Sequence, residues 1–319
     1  MNRYFKLLLP IMALSVILSG CSLPFLGASG DENSIKIGMQ NTSESQIMGH
    51  IDKLMIEHEA KKDNVKENNI QLINNLGSST VTFNAQNSGD VNISSARYTG
   101  TDLTGALGKD PITDPKKALK VVRDAFDKDY DQKWYGSYGF ENTYAMMVTK
   151  ETAKKYNLKK VSDMKKVANK LEAGVDSSWM KRPGDGYPAF KEKYGFDFKR
   201  TRPMQIGLVY DALNTGKMDV VLGYTTDGRI ASYDLVVLED DLNFFPPYDA
   251  SPLVTKSLIK EKPYVDRAMN KLRGKISTEQ MQKLNYEADN NLKEPAVVAE
   301  EFLKKHNYFD DEDDEKDGE

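Results

Sequence analysis

Short β-type runs alternate with helix-spaced apolar stripes along this chain, and that alternation admits few architectures. Residues 34–39 read as a strand, and the segment after them places Ile47, Met48, Ile51, Leu54 and Met55 on one helical face. Further strands are predicted near 69–73 and over 91–96, completing a βαβαβ unit with a parallel sheet. A second set follows, with strands over 143–149 and 218–224 and helices around 161–171 between them. Residues 203–213 read as a helix with Pro203 in its first turn, stopped by Asn214-Thr215-Gly216. A strand over 235–238 and helices near 264–273, 278–290 and 295–305 complete the pattern. Two α/β units with a late helical return predict two lobes, 34–138 with 232–310 and 139–231 between them. Ligands of open α/β sheets sit beyond the carboxyl ends of strands, so the useful residues should lie just after strands.

The ends carry different information. Arg3 and Lys6 precede an apolar stretch over 7–18 that is too short to span a bilayer and reads as an export signal. It closes on Leu18-Ser19-Gly20-Cys21, which resembles the bacterial lipobox, where the cysteine is lipidated and the preceding residues are removed. Cys21 is the only cysteine of the chain, so no disulfide can form within it. The expectation is a signal over 1–20, a small polar tether over 21–33 and an acidic, disordered tail over 311–319. A net charge of −4, more negative once Arg3 and Lys6 are gone, argues against a nucleic-acid partner.

Catalytic signatures are scarce. His50, His58 and His306 are the only histidines, and none belongs to a metal-type pair; they read as ordinary helix residues, so no metal or cofactor is expected. No phosphate-binding loop, dinucleotide fingerprint or Gly-x-Ser-x-Gly elbow occurs. Aromatic residues beside strands are more informative. Tyr98 follows the third strand, Tyr144 opens the first strand of the middle lobe, Tyr224 ends another, and Tyr248 sits within Pro246-Pro247-Tyr248-Asp249. Any one of the sixteen tyrosines is packing or surface more often than ligand contact, but four at lobe junctions form a pattern.

The lipobox, Arg97-Tyr98-Thr99-Gly100-Thr101, the run from Gly223 through Tyr224-Thr225-Thr226-Asp227 to Ile230, and Pro246-Pro247-Tyr248-Asp249 together resemble a known family. It is that of the glycine betaine/carnitine/choline-binding lipoproteins of osmoprotectant ABC importers, the OpuCC-like family. The similarity extends over the mature body, including 174–178 and 185–188. It implies a two-lobed α/β fold of the type II periplasmic-binding kind with a hinge, and a cation boxed by Tyr98, Tyr144, Tyr224 and Tyr248. It also implies contacts to the ligand's polar end from Gln46 and Thr101, partners in a permease and an ATPase, a membrane attachment through lipid on Cys21, and no reaction catalysed by the chain itself. Glycine betaine and carnitine are expected among the ligands, because no acidic residue stands at position 101.

The chemistry suits that expectation. A trimethylammonium group has no N–H, so a carboxylate cannot hydrogen-bond it, whereas each aromatic face within about 6 Å contributes on the order of 0.5–2 kcal/mol. Two readings remain open at the polar end: Ser43-Glu44-Ser45-Gln46 matches a capping box, and Thr101 could cap a helix after Gly100. Capture of an amino acid or another zwitterion would use acids such as Asp227 or Asp249 and an arginine such as Arg97. A surface enzyme acting on choline or carnitine would need a base and nucleophile pair, and none stands out.

Overall fold

The computed structural model describes residues 34–177, 179–182 and 186–309. The expected signal, the tether with Cys21 and the acidic tail lie outside these residues. Strand β1 (Ile35–Gln40) leads into α1 (Ser43–Lys62), β2 (Ile70–Leu76) into α2 (Ser79–Ser88), and β3 (Ile93–Tyr98) into α3 (Thr99–Gly105). Next come α4 (Pro115–Asp129), β4 (Gln132–Trp134), β5 (Tyr144–Thr149), α5 (Lys150–Tyr156) and β6 (Glu172–Asp176). They are followed by α6 (Tyr187–Tyr194), β7 (Arg200–Met204), α7 (Val209–Asn214), β8 (Val220–Tyr224), α8 (Arg229–Ser232) and β9 (Leu235–Val237). The chain ends its described course with β10 (Ala250–Thr255), α9 (Lys256–Glu261), α10 (Pro263–Lys271), α11 (Thr278–Asp289) and α12 (Pro295–Lys305).

The strands form two five-stranded sheets, ordered β2-β1-β3-β10-β4 and β7-β6-β8-β5-β9. In each, three parallel strands are joined by one antiparallel neighbour and closed by a short edge strand. Ile35, Ile37 and Met39 of β1, at alternate positions, share one face of the first sheet and are all fully buried. Ile47, Met48, Ile51 and Met55 of α1 close over them, in one core with residues of α10, α11 and α12. A separate core around Trp179, Phe190, Phe244 and Phe245 serves the second sheet. Among the described residues no helix is long and apolar enough to cross a membrane.

Several sequence expectations need correction. Pro203 does not open a helix: it lies in β7, paired with Val175 at the sheet edge, where a missing N–H leaves no central ladder incomplete. The helix of that region is shorter and starts at Val209. Residues 161–171 form two 3-10 segments, Val161–Lys166 and Ala168–Lys170, rather than α-helices. The predicted return at residue 232 comes too early, because β9 pairs with β5 and Leu238, Phe244 and Phe245 pack in the second core. The chain rejoins the first sheet only at β10.

Two segments therefore cross between the sheets, around 141–143 and 246–249, and they run side by side. Glu141 and Asp249 form an antiparallel bridge, the Asn142 amide donates to the Tyr248 carbonyl at 3.2 Å, and Thr143 Oγ1 donates to the Pro246 carbonyl at 3.2 Å. The first crossing is pinned further back by Tyr138, whose hydroxyl lies 2.6 Å from the Ser95 carbonyl and 3.0 Å from Asp52 Oδ1. Burial pushes the Asp52 carboxyl well above its ordinary range, and a phenol with one proton for two acceptors fits a neutral Asp52 that supplies the second. Gly139 between these anchors has φ of +115°, and a Cβ there would stand 2.9 Å from the Ile276 carbonyl oxygen. Only glycine meets both conditions without strain.

Candidate functional site

A cavity of about 330 Å³ lies where the ends of strands from both sheets meet the crossings. The first sheet contributes Gln40 from the end of β1, Thr42 before α1, Ser79 at the start of α2, Tyr98 from the end of β3 and Thr101 in α3. The crossings contribute Asn142 and Tyr248. From the second sheet come Tyr144, Tyr224 and, from the segment after β6, Arg182. All four tyrosines expected from the sequence, and Thr101, line this one cavity.

Their placement follows from strand register. Tyr144 opens β5 and Tyr224 closes β8, and antiparallel pairing sets them directly opposite each other. Their rings stack with centroids 5.0 Å apart and planes inclined by 29°, and their hydroxyls are 3.4 Å apart. Two rings in contact make one continuous aromatic wall rather than two facing walls. The Tyr224 backbone is held by Tyr210, whose hydroxyl accepts from the Tyr224 amide at 2.7 Å and donates to its carbonyl at 3.2 Å. Gly223 makes room for that contact, since a Cβ would come within 2.8 Å of the Tyr210 ring.

Tyr98 and Tyr248 stand on the first sheet's side. Tyr98 is level with Ala250 of β10, and the Thr99 hydroxyl donates to the Pro247 carbonyl at 3.0 Å, which fixes the Pro247-Tyr248 segment on the start of α3. Gly100 permits the approach, because a Cβ would lie 2.8 Å from the Pro247 carbonyl oxygen and 3.1 Å from the Tyr248 ring. Burial holds the Tyr98 and Tyr224 phenols above their ordinary range, so both rings stay neutral near pH 7.

Both capping alternatives are displaced by the structure. The N-cap of α1 is Thr42, whose hydroxyl accepts from the Ser45 amide, while Ser45 Oγ accepts from the Gln40 amide at 2.9 Å. Gln46 thus lies a turn into the helix and is not among the residues that line the cavity; Gln40, at the strand end, is. Thr101 is not a cap either, because α3 begins at Thr99 with Tyr98 before it. Gln40, Thr42, Ser79, Asn142 and Arg182 are the lining residues that sequence reasoning missed.

The cavity's charge is simple. Arg182 is the one charged side chain among the described residues that line it, and its guanidinium carbon lies 5.2 Å from the centre of the Tyr144 ring. The three residues singled out in the sequence for an amino-acid receptor do not line it. Arg97 is fully buried against Asp102, Asp227 pairs with Arg229 at 2.8 Å, and Asp249 does not line the cavity. Among the described residues no cluster of histidine, cysteine or acidic side chains is arranged to hold a metal. Neutral rings, hydroxyls, amides and one guanidinium can bind an organic cation bearing an anionic or polar end.

Two α/β sheets joined by paired crossings, with a lined cavity at the junction, describe a two-lobed solute-binding protein. The comparisons with known proteins agree and narrow it. The profile of the substrate-binding domain of ABC-type glycine betaine transport systems matches residues 33–305. The carnitine transport binding protein OpuCC of Listeria monocytogenes serotype 1/2a is 54% identical over 97% of this chain and 99% of its own. A glycine-betaine-binding protein of Pseudomonas aeruginosa is 30% identical over 91% of this chain and 94% of its own. A crystal structure described as a glycine betaine/carnitine/choline ABC transporter superposes with a TM-score of 0.84 at 60% identity, covering 87% of this chain and all of that one. The chain belongs to the family of substrate-binding domains of ABC-type glycine betaine transport systems. That family consists of transport receptors, not enzymes.

Proposed function

We propose that the chain captures quaternary-ammonium osmolytes, glycine betaine and carnitine foremost, outside the cytoplasm and delivers them to the permease and ATPase of an importer. The observation that carries this is the cavity itself: Tyr98, Tyr144, Tyr224 and Tyr248 around one space, with no acidic side chain and one arginine among the described residues that line it. Ring faces replace the water of a cation that cannot donate a hydrogen bond, and Arg182 with Thr101 and Ser79 offers donors to a carboxylate. Lobes that meet at such a cavity close on ligand by a population shift about the paired crossings, and closure signals occupancy to the permease. Gln46 retains a role only if closure brings it to the ligand; Gln40 is the better-placed amide. Leu18-Ser19-Gly20-Cys21 supports attachment to the membrane by lipid on Cys21.

The test is a calorimetric panel of glycine betaine, carnitine and choline, together with Arg182→Gln. The native chain is expected to bind the two carboxylate-bearing ligands more tightly than choline. Arg182→Gln should weaken betaine and carnitine about tenfold, or ~1.4 kcal/mol for one charge-assisted contact, and leave choline nearly unchanged. Loss of all three ligands to the same extent would assign Arg182 to the aromatic wall instead. Failure of the native chain to bind any of them would remove the osmolyte reading.

A further inference from the structure

Behind the Tyr98 ring, out of contact with the cavity, lies a carboxylate with an unusual set of neighbours. Glu44, in the first turn of α1, is 4% exposed. Its Oε1 accepts from the Tyr98 hydroxyl at 2.5 Å and from Asn142 Nδ2 at 3.0 Å, and its Oε2 accepts from Asn285 Nδ2 at 3.1 Å. All three partners donate and none needs a proton in return, which is the pattern of an ionised acid. Among the described residues no lysine, arginine or histidine forms an ion pair with it. A buried charge is ordinarily matched by an opposite one, and here only neutral donors and the N-terminal end of α1 attend it.

Two of those donors, Tyr98 and Asn142, line the cavity. We propose that Glu44 is the counter-charge of the bound cation, acting through the Tyr98 phenol as a positioning residue for the cage. A phenol that donates to a carboxylate carries more electron density in its ring, so the face it offers attracts a cation more strongly than that of a water-bonded tyrosine. The carboxylate stays behind the ring, where it attracts the cation without being stripped of its hydrogen bonds when ligand enters. The same group ties the cage to the frame around it. Asn285 on α11 also donates to the Thr226 carbonyl at 2.9 Å, and Asn142 belongs to the first crossing, so the carboxylate fixes Tyr98 relative to both.

This rests on the quaternary-ammonium reading, and the experiment separates the two. Glu44→Gln and Tyr98→Phe are compared with the native chain by ligand-observed NMR, using glycine betaine, choline and 3,3-dimethylbutyrate, the carbon isostere of betaine without its positive charge. Circular dichroism and melting temperature verify the folds. Both substitutions should weaken betaine and choline three- to tenfold while leaving the isostere without such a loss, because only a cationic group is attracted by the carboxylate. Tyr98→Phe keeps the buried acid, so it decides the matter should Glu44→Gln fail to fold. Equal losses for ligands with and without the quaternary ammonium would make Glu44 a scaffold residue and overturn the proposal, as would unchanged binding of betaine. If the native chain binds neither betaine nor choline, the osmolyte reading falls first and this proposal with it.

Discussion

Asp102→Ala is expected to destabilise the protein by about 3–5 kcal/mol, which corresponds to a fall in melting temperature of roughly 6–20 °C. Arg97 and Asp102 have no exposed side-chain surface, and the carboxylate receives both the Nε, at 3.0 Å, and a terminal nitrogen of the guanidinium. The remaining nitrogen donates to the Ser79 carbonyl at 2.8 Å. Removing the acid strands a guanidinium in the interior, and the cost of that unpaired charge exceeds the net value of the pair. Replacing both residues, Arg97→Met with Asp102→Leu, should therefore recover much of the loss even though it deletes twice as many polar groups. Chemical denaturation of the three variants checks the ordering. A single alanine variant as stable as the native chain would show that the pair is not buried in solution.

The position of this pair explains why an arginine beside the cage does not line it. Arg97 immediately precedes Tyr98, and Asp102 immediately follows Thr101, so the bond between them draws the β3–α3 corner tight and sets two lining residues from below. Sequence reasoning kept Arg97 available for a carboxylate because a strand residue's facing cannot be read where both faces are buried. β3 is such a strand, and Arg97 points into the layer beneath.

Other parts of the architecture were legible for the complementary reason. Where one periodicity dominates, as in the apolar face of α1 or the runs of β1 and β8, local pattern and tertiary packing agree. The four tyrosines were accessible because strand ends in an open α/β sheet are where ligands gather, and their positions needed no side-chain geometry. The same rule applied to the end of β1 points to Gln40, which was passed over for an apparent capping box one residue out of register with the true cap at Thr42. Helix α4 was not anticipated, although Asp114 caps it, Pro115 stands in its first turn and Ala118, Val122, Ala125 and Phe126 form its buried face. Pro203 misled because proline suits both a helix start and a sheet edge, and only the pairing with β6 decides between them. Arg182 and Glu44 carried no local signal at all. The first lies in an irregular segment after β6, and the second earns its place through Tyr98 and Asn285, 54 and 241 residues away.

The cage itself allows the sharpest separation of effects, because a ring face and a phenol hydroxyl can be removed independently. Each Tyr→Ala substitution at Tyr98, Tyr144, Tyr224 or Tyr248 is expected to weaken betaine by about 1–2 kcal/mol, roughly five- to thirtyfold in a calorimetric titration. Phenylalanine keeps the face and should cost less, Tyr98 losing most because its hydroxyl alone among the four bonds to Glu44. The structure adds a rule for combinations. Tyr144 and Tyr224 stack on each other across paired strands, so either alanine frees its neighbour to turn and already includes part of the neighbour's loss. Their double variant should fall short of the sum by a measurable margin, whereas Tyr98 with Tyr144, which stand on different sheets, should come closer to additivity. Even so, the Tyr144/Tyr224 double alanine removes a whole wall and should leave betaine binding reduced by about 2–3 kcal/mol, or thirty- to more than a hundredfold. Full affinity in folded alanine variants would mean that these rings only pack and that the cation is held elsewhere.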